Sequence, residues 1–108
     1  MSLSTHVLDN ATGEPARGVP VRLERRSGDG WTPVAAGRTD TDGRLRDWVP
    51  DAGWGAGTYR LVFDTAAHLG PDAFFPEVAV VFQVADAGRH YHVPLLLSPY
   101  GYTTYRGS

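Results

Sequence analysis

HYHVPLLLSPYGYTTYRGS, residues 90–108, is the stretch whose period decides the fold. Strand alternation puts Tyr91, Val93, Leu95 and Leu97 on one face and His90, His92 and Pro94 on the other. One face is a core and the other carries chemistry-bearing side chains, as in a half-buried strand. After the Ser-Pro break, YGYTTYR (100–106) reads as a final strand. Chain ends are usually small, polar and frayed, so an aromatic end implies a strand that docks on something.

Working outward, the same short alternation recurs between Gly, Pro and Asp turns. It predicts strands over LSTHVLD (3–9), VPVRLERR (19–26), WTPVAAGRT (31–39), RLRDWV (44–49), GTYRLVFD (57–64), PEVAVVFQV (76–84) and RHYHVPLLL (89–97). SGDG joins the second and third of these as a hairpin. Only TAAHLG (65–70) has helical character, and Gly70-Pro71 stops it within a turn or two. Seven or eight short strands at this spacing predict an all-β, antiparallel Greek-key sandwich, one domain over residues 1–108. Such a fold has edge strands to cover, and the aromatic last strand invites pairing with a second copy of the chain.

Composition narrows the chemistry. The 108 residues are 42% hydrophobic and 20% charged, the balance of a globular protein. No apolar run is long enough to span a membrane, and MSLSTHVLD has neither the basic nor the apolar region of a signal peptide, so a cytoplasmic location is expected. A net charge of −2 with interspersed signs gives no footprint for nucleic acid or an anionic membrane. There is no cysteine, which removes disulfides and thiolate chemistry. All ten basic residues are arginine, so no lysine Schiff base is possible. An enzyme built from this inventory relies on four histidines, carboxylates and tyrosines.

Alternation aligns His90 with His92 on one strand and puts His6 with Ser4 and Leu8 on one face of the first. Three readings follow. Each histidine is a half-exposed strand residue with a satisfied hydrogen bond; or His-x-His with a third histidine holds zinc; or the rings perform metal-free acid–base chemistry near neutral pH. Arg44, after the turn TDTDG (39–43), and Arg106 are either solvated edge charges or forks for a carbonyl or anion. Tyr100 and Tyr102 share a face and Tyr105 takes the other, which suits core or interface packing. Trp31, Trp48 and Trp54 read as packing residues, and His68 as structural or surface.

STHVLDNATGEPARGVPVRL, TDTDGRL, FFPEVAVVF and the closing HYHVPLLLSPYGYTTYRGS together resemble the 5-hydroxyisourate hydrolases of the transthyretin-related family. The likeness covers essentially the whole chain in order. Its most specific element is YRGS (105–108), which separates the hydrolases from the hormone carriers of the same fold. The resemblance implies a transthyretin-like β-sandwich with one short helix, assembled as a homotetramer, a dimer of dimers, with sites in clefts between dimers. It also implies ring-opening hydrolysis of 5-hydroxyisourate to 2-oxo-4-hydroxy-4-carboxy-5-ureidoimidazoline in urate degradation, with no metal or organic cofactor. The family's catalytic positions fall on His6, Arg44, His92 and Ser108, and Tyr105, Arg106 and Gly107 complete the substrate site. TAAHLGPDA departs from the family, which often carries an aromatic at the position of His68.

Overall fold

In the computed structural model, which describes residues 2–108, the alternating runs become β1 (Leu3–Asp9), β2 (Glu14–Pro15), β3 (Pro20–Ser27), β4 (Gly30–Arg38), β5 (Arg44–Leu45), β6 (Gly57–Phe63), β7 (Val78–Val84), β8 (Tyr91–Ser98) and β9 (Gly101–Thr104). One sheet runs β2-β1-β8-β9, with β5 beside β2 on the outer edge of β1, and the other runs β4-β3-β6-β7. The inward set predicted for residues 90–97, namely Tyr91, Val93, Leu95 and Leu97, is buried, together with apolar side chains of the second sheet. Val21, Leu23, Tyr59, Leu61, Phe63, Leu95 and Leu97 are almost wholly removed from water. Each such apolar side chain contributes about 1.5–3 kcal/mol of burial free energy. Trp54 closes one end, with its ring centroid 5.0 Å from Tyr59 and 6.0 Å from Tyr91.

Two expectations need correction. The sandwich is not antiparallel throughout, because β1 and β8 pair in parallel, with Ser4 opposite His92 and His6 opposite Pro94. No hairpin links these strands, so nothing local forces them to oppose. The strand expected over residues 44–49 is only Arg44–Leu45 long. Asp47 takes a left-handed backbone conformation, φ 55°, and ends the pairing. Trp48 then packs against the core and its Nε1–H donates to the Leu3 carbonyl at 3.2 Å.

The helix α1 spans Ala66–Leu69, a single turn. His68 on it donates from Nε2 to Asp9 Oδ2 at 2.8 Å, tying the helix to the end of β1. Asp9 also accepts the backbone N–H groups of Ala11 and Thr12 through Oδ1, which folds the turn after β1. His68 thus has a structural contact, one of the two readings, structural or surface, that its sequence position left open.

Candidate active site

The outward face of the first sheet gathers residues from opposite ends of the chain. A cavity of about 200 Å³ is lined by Ser4, Thr5, Arg44, Arg46, His90, His92 and Ser108. Three pieces of backbone position it: β1, the turn into β5, and β8 with the chain end.

The turn is held by Asp40. Its Oδ1 accepts the Asp42 N–H at 2.8 Å and the Arg44 N–H at 2.9 Å. These bonds, with the nearby Arg46 and Arg44 charges, keep the Asp40 carboxyl below its ordinary pKa, the Arg44 amide being the largest influence. Gly43 lets the turn press against β1. At φ +73° a Cβ there would stand 2.5 Å from the Val7 carbonyl oxygen, so no side chain fits. Arg44 is consequently set opposite His6 in the β1–β5 pairing.

His6 is fixed in one tautomer when neutral. Its Nε2 lies 2.9 Å from the Asp42 carbonyl oxygen. A carbonyl only accepts, so Nε2 carries the proton and Nδ1 is the basic nitrogen. His6 stands beside the cavity rather than among the residues that line it. Burial, then the Arg44 charge, lowers its pKa from the ordinary value of 6.5, outweighing the opposite pull of Asp42 and Asp40. His92 is shifted the same way, first by burial and then by the charges of Arg44, His6 and His90. Both shifts favour the neutral ring, the form that accepts a proton.

The chain end meets His92 directly. The register that sets Thr104 opposite Leu95 continues until Gly107 bridges His92, with the Gly107 N–H donating to the His92 carbonyl at 2.8 Å. Pro94, between these pairs, has no N–H to give, and this interrupts the ladder after Thr104. Thr104 compensates by donating its hydroxyl to the Pro94 carbonyl at 2.8 Å. Ser108 reaches the cavity on the far side of this bridge.

Tyr105 and Arg106, which the resemblance gives to the substrate site, are not among the residues that line this cavity in the single chain. Tyr105 and Arg106 line a separate cavity of about 140 Å³ with Val80, Phe82, Gln83, Tyr91, Val93 and Thr104. Arg106 stacks over the Tyr91 ring at 4.7 Å, a cation–π contact that holds the tail in place. Within one chain these two residues anchor the end of the strand, and Gly107 and Ser108 form the part of YRGS beside His92.

Sequence reasoning missed Ser4 and Arg46. Ser4 shares its face with His6, and Arg46 is two residues from Arg44, so the period-two rule that aligned the histidines also pointed to both. The zinc reading lacks a ligand set. Among the described residues no three His, Asp or Glu side chains are grouped so as to hold a metal ion. Instead the Ser4 hydroxyl stands between His90 and His92.

Comparison with known proteins decides the family, because residues 3–107 match the HIUase/Transthyretin family. The chain belongs to that family. The 5-hydroxyisourate hydrolase of Salmonella dublin is 49% identical to it, over 98% of this chain and 80% of that protein. The 5-hydroxyisourate hydrolase 2 of Rhizobium meliloti is 47% identical, over 98% and 95%. Sea bream transthyretin, crystallised with thyroxine, superposes with a TM-score of 0.91 at 36% identity, covering 99% of this chain and 95% of that one. The transthyretin-like sandwich predicted from the resemblance is therefore the fold, and its relatives in the HIUase/Transthyretin family include named hydrolases.

Proposed function

We propose that this chain is a 5-hydroxyisourate hydrolase of urate degradation, which opens the six-membered ring of its substrate with water. The observation that carries the reading is the pairing of neutral histidines with the Arg44 guanidinium around one cavity. The 47–49% identity to named hydrolases supports the same substrate.

Hydrolysis of a ring amide needs a base to take a proton from water and a cation or donor to receive charge on the carbonyl oxygen. His92 takes the proton at Nε2, since its Nδ1 is occupied by Ser4. His6 orients the water or substrate through Nδ1. Arg44, assisted by Arg46, binds the substrate oxygens and stabilises the oxyanion, for which a planar guanidinium fork is well shaped. Ser108 hydrogen-bonds the ligand at the rim. The reaction uses no metal.

The working unit is a homotetramer, a dimer of dimers. Phe74, Tyr100, Tyr102 and Val81 are exposed in the single chain, Val81 on edge strand β7, Tyr102 on edge strand β9 and Phe74 against Tyr100, which supports burial by further copies. The test generates 5-hydroxyisourate in place with urate oxidase and follows its ultraviolet decay. Decay accelerated in proportion to added protein is expected; decay at the spontaneous rate overturns the reading.

A further inference from the structure

Ser4 occupies a position that its hydrogen bonding makes consequential. Its Oγ lies 2.7 Å from His92 Nδ1 and 3.0 Å from His90 Nε2. The parallel register sets Ser4 directly opposite His92, so β1 holds the hydroxyl between the two rings. A hydroxyl has one proton and can donate to only one ring nitrogen at a time. The other nitrogen must then donate its own N–H to Oγ. The protonation states of the two imidazoles are therefore linked through one buried side chain.

The two rings differ in surroundings. His92 is half-buried, and the groups facing it are cationic or imidazole: Arg44 and Arg46 from the β5 segment, His6 from β1 and His90 from β8. Asp40 and Asp42 bear on His6 from the turn. A proton left on His92 would sit beside guanidinium groups in a partly dry site. His90 is exposed, where an imidazolium is hydrated.

We propose that Ser4 and His90 form a proton outlet for His92, which rests on the hydrolytic reading above. In the forward step a water O–H bond breaks and its proton bonds to His92 Nε2. The Nδ1 proton of His92 passes to Ser4 Oγ, and the Ser4 proton passes to His90 Nε2. One proton has moved from water to His90, Ser4 is unchanged, and hydroxide equivalent attacks the carbonyl. The reverse transfer returns a proton for the departing ring nitrogen. Ser4 and His90 are positioning residues, and His92 alone meets the water.

The test combines nitrogen NMR of the histidine rings with kinetics on the full chain. In the wild-type protein the His90 and His92 signals should each respond to both titration steps, as a coupled pair does. Ser4→Ala should separate them into independent titrations. It should also lower kcat with little change in KM, by less than the about 10²–10⁴-fold that a base supplies. His90→Phe should lower kcat similarly. Added imidazole buffer should restore rate in both variants but leave the wild type unaffected, and Ser4→Thr, which keeps the hydroxyl, should restore coupling without buffer. Independent titration in the wild type, or a rate loss that buffer cannot rescue in either variant, overturns the outlet. The NMR arm needs no substrate. A coupled pair in a protein that leaves 5-hydroxyisourate untouched therefore overturns the hydrolytic reading and not the linkage.

Discussion

Gly107 lies so close to His92 that a Cβ at that position would stand 2.5 Å from the imidazole Cδ2. The third residue of YRGS thus sets the spacing of the His92 ring, the base of the proposed reaction. Gly107→Ala should displace the ring and lower kcat at least tenfold, taking the loss of catalytic alignment at the low end of the about 10²-fold that an ångström of misplacement costs. Thermal unfolding would move little by comparison. A variant with wild-type kcat would show that the ring position does not matter. Deleting residues 105–108 should abolish turnover.

His92→Ala should lower kcat by about 10²–10⁴-fold while the fold and assembly persist. Turnover assays and size-exclusion chromatography on the same preparation separate the two effects. Near-wild-type turnover would remove His92 from the base role.

Activity should fall on the acid side with a midpoint below pH 6.5. His6 and His92 both have lowered pKa values, so the neutral, proton-accepting form persists to lower pH than in a free imidazole. Arg44→Gln removes a cation that depresses both rings, so the acid limb should shift upward toward 6.5. The stability consequence has the same sign. Below about pH 6.5 the unfolded chain protonates its histidines before the folded one, so stability declines as pH falls toward the lowered folded values. A pH–rate profile with its acid limb above 6.5 in the wild type would contradict this account.

The Asp9–His68 pair should be worth more to the fold than to the reaction. Asp9 is buried, accepts from Ala11, Thr12 and His68, and has a lowered pKa chiefly because of the His68 hydrogen bond. Asp9→Ala leaves two turn amides without their acceptor and should cost about 1–3 kcal/mol in denaturant unfolding. Stability from this carboxylate is present above its unfolded pKa near 3.8 and is lost as pH falls through the lower folded value. Unchanged unfolding of Asp9→Ala would refute the assignment.

Chelation should leave turnover intact. Elemental analysis of purified protein is expected to find less than one equivalent of zinc per chain, and activity should survive EDTA. Loss of activity that zinc restores would return the His6, His90 and His92 zinc reading to consideration.

Period-two alternation carried most of the fold. Tyr91, Val93, Leu95 and Leu97 share the face read as core and are buried because a strand offers only two faces. What alternation cannot encode is which strands become neighbours. The β1–β8 parallel pairing joins residues far apart in sequence, and from it follow Ser4 between two histidines and Ser108 at the cavity. Within one chain the tail divides at Tyr105 and Arg106 for a related reason. The motif reads as one unit, whereas the register beyond Pro94 sends Gly107 to His92 and Arg106 to the Tyr91 ring. The short β5 was equally illegible, since Asp47 ends it through a left-handed conformation that aspartate adopts only in some contexts.

The side-by-side placement of β1 and β8 also bears on the order in which the cavity can assemble. Ser4 and His92 meet across 88 positions of chain, and Gly107 bridges His92 from the other side. During synthesis, which proceeds from the N-terminus, the second sheet can be complete while β1 still lacks its neighbour. Pairing of such distant segments is slow because loop closure precedes any reward. The proposed site therefore needs β1, β8 and residues 107–108 together, so its assembly depends on long-range pairing rather than on any one local segment.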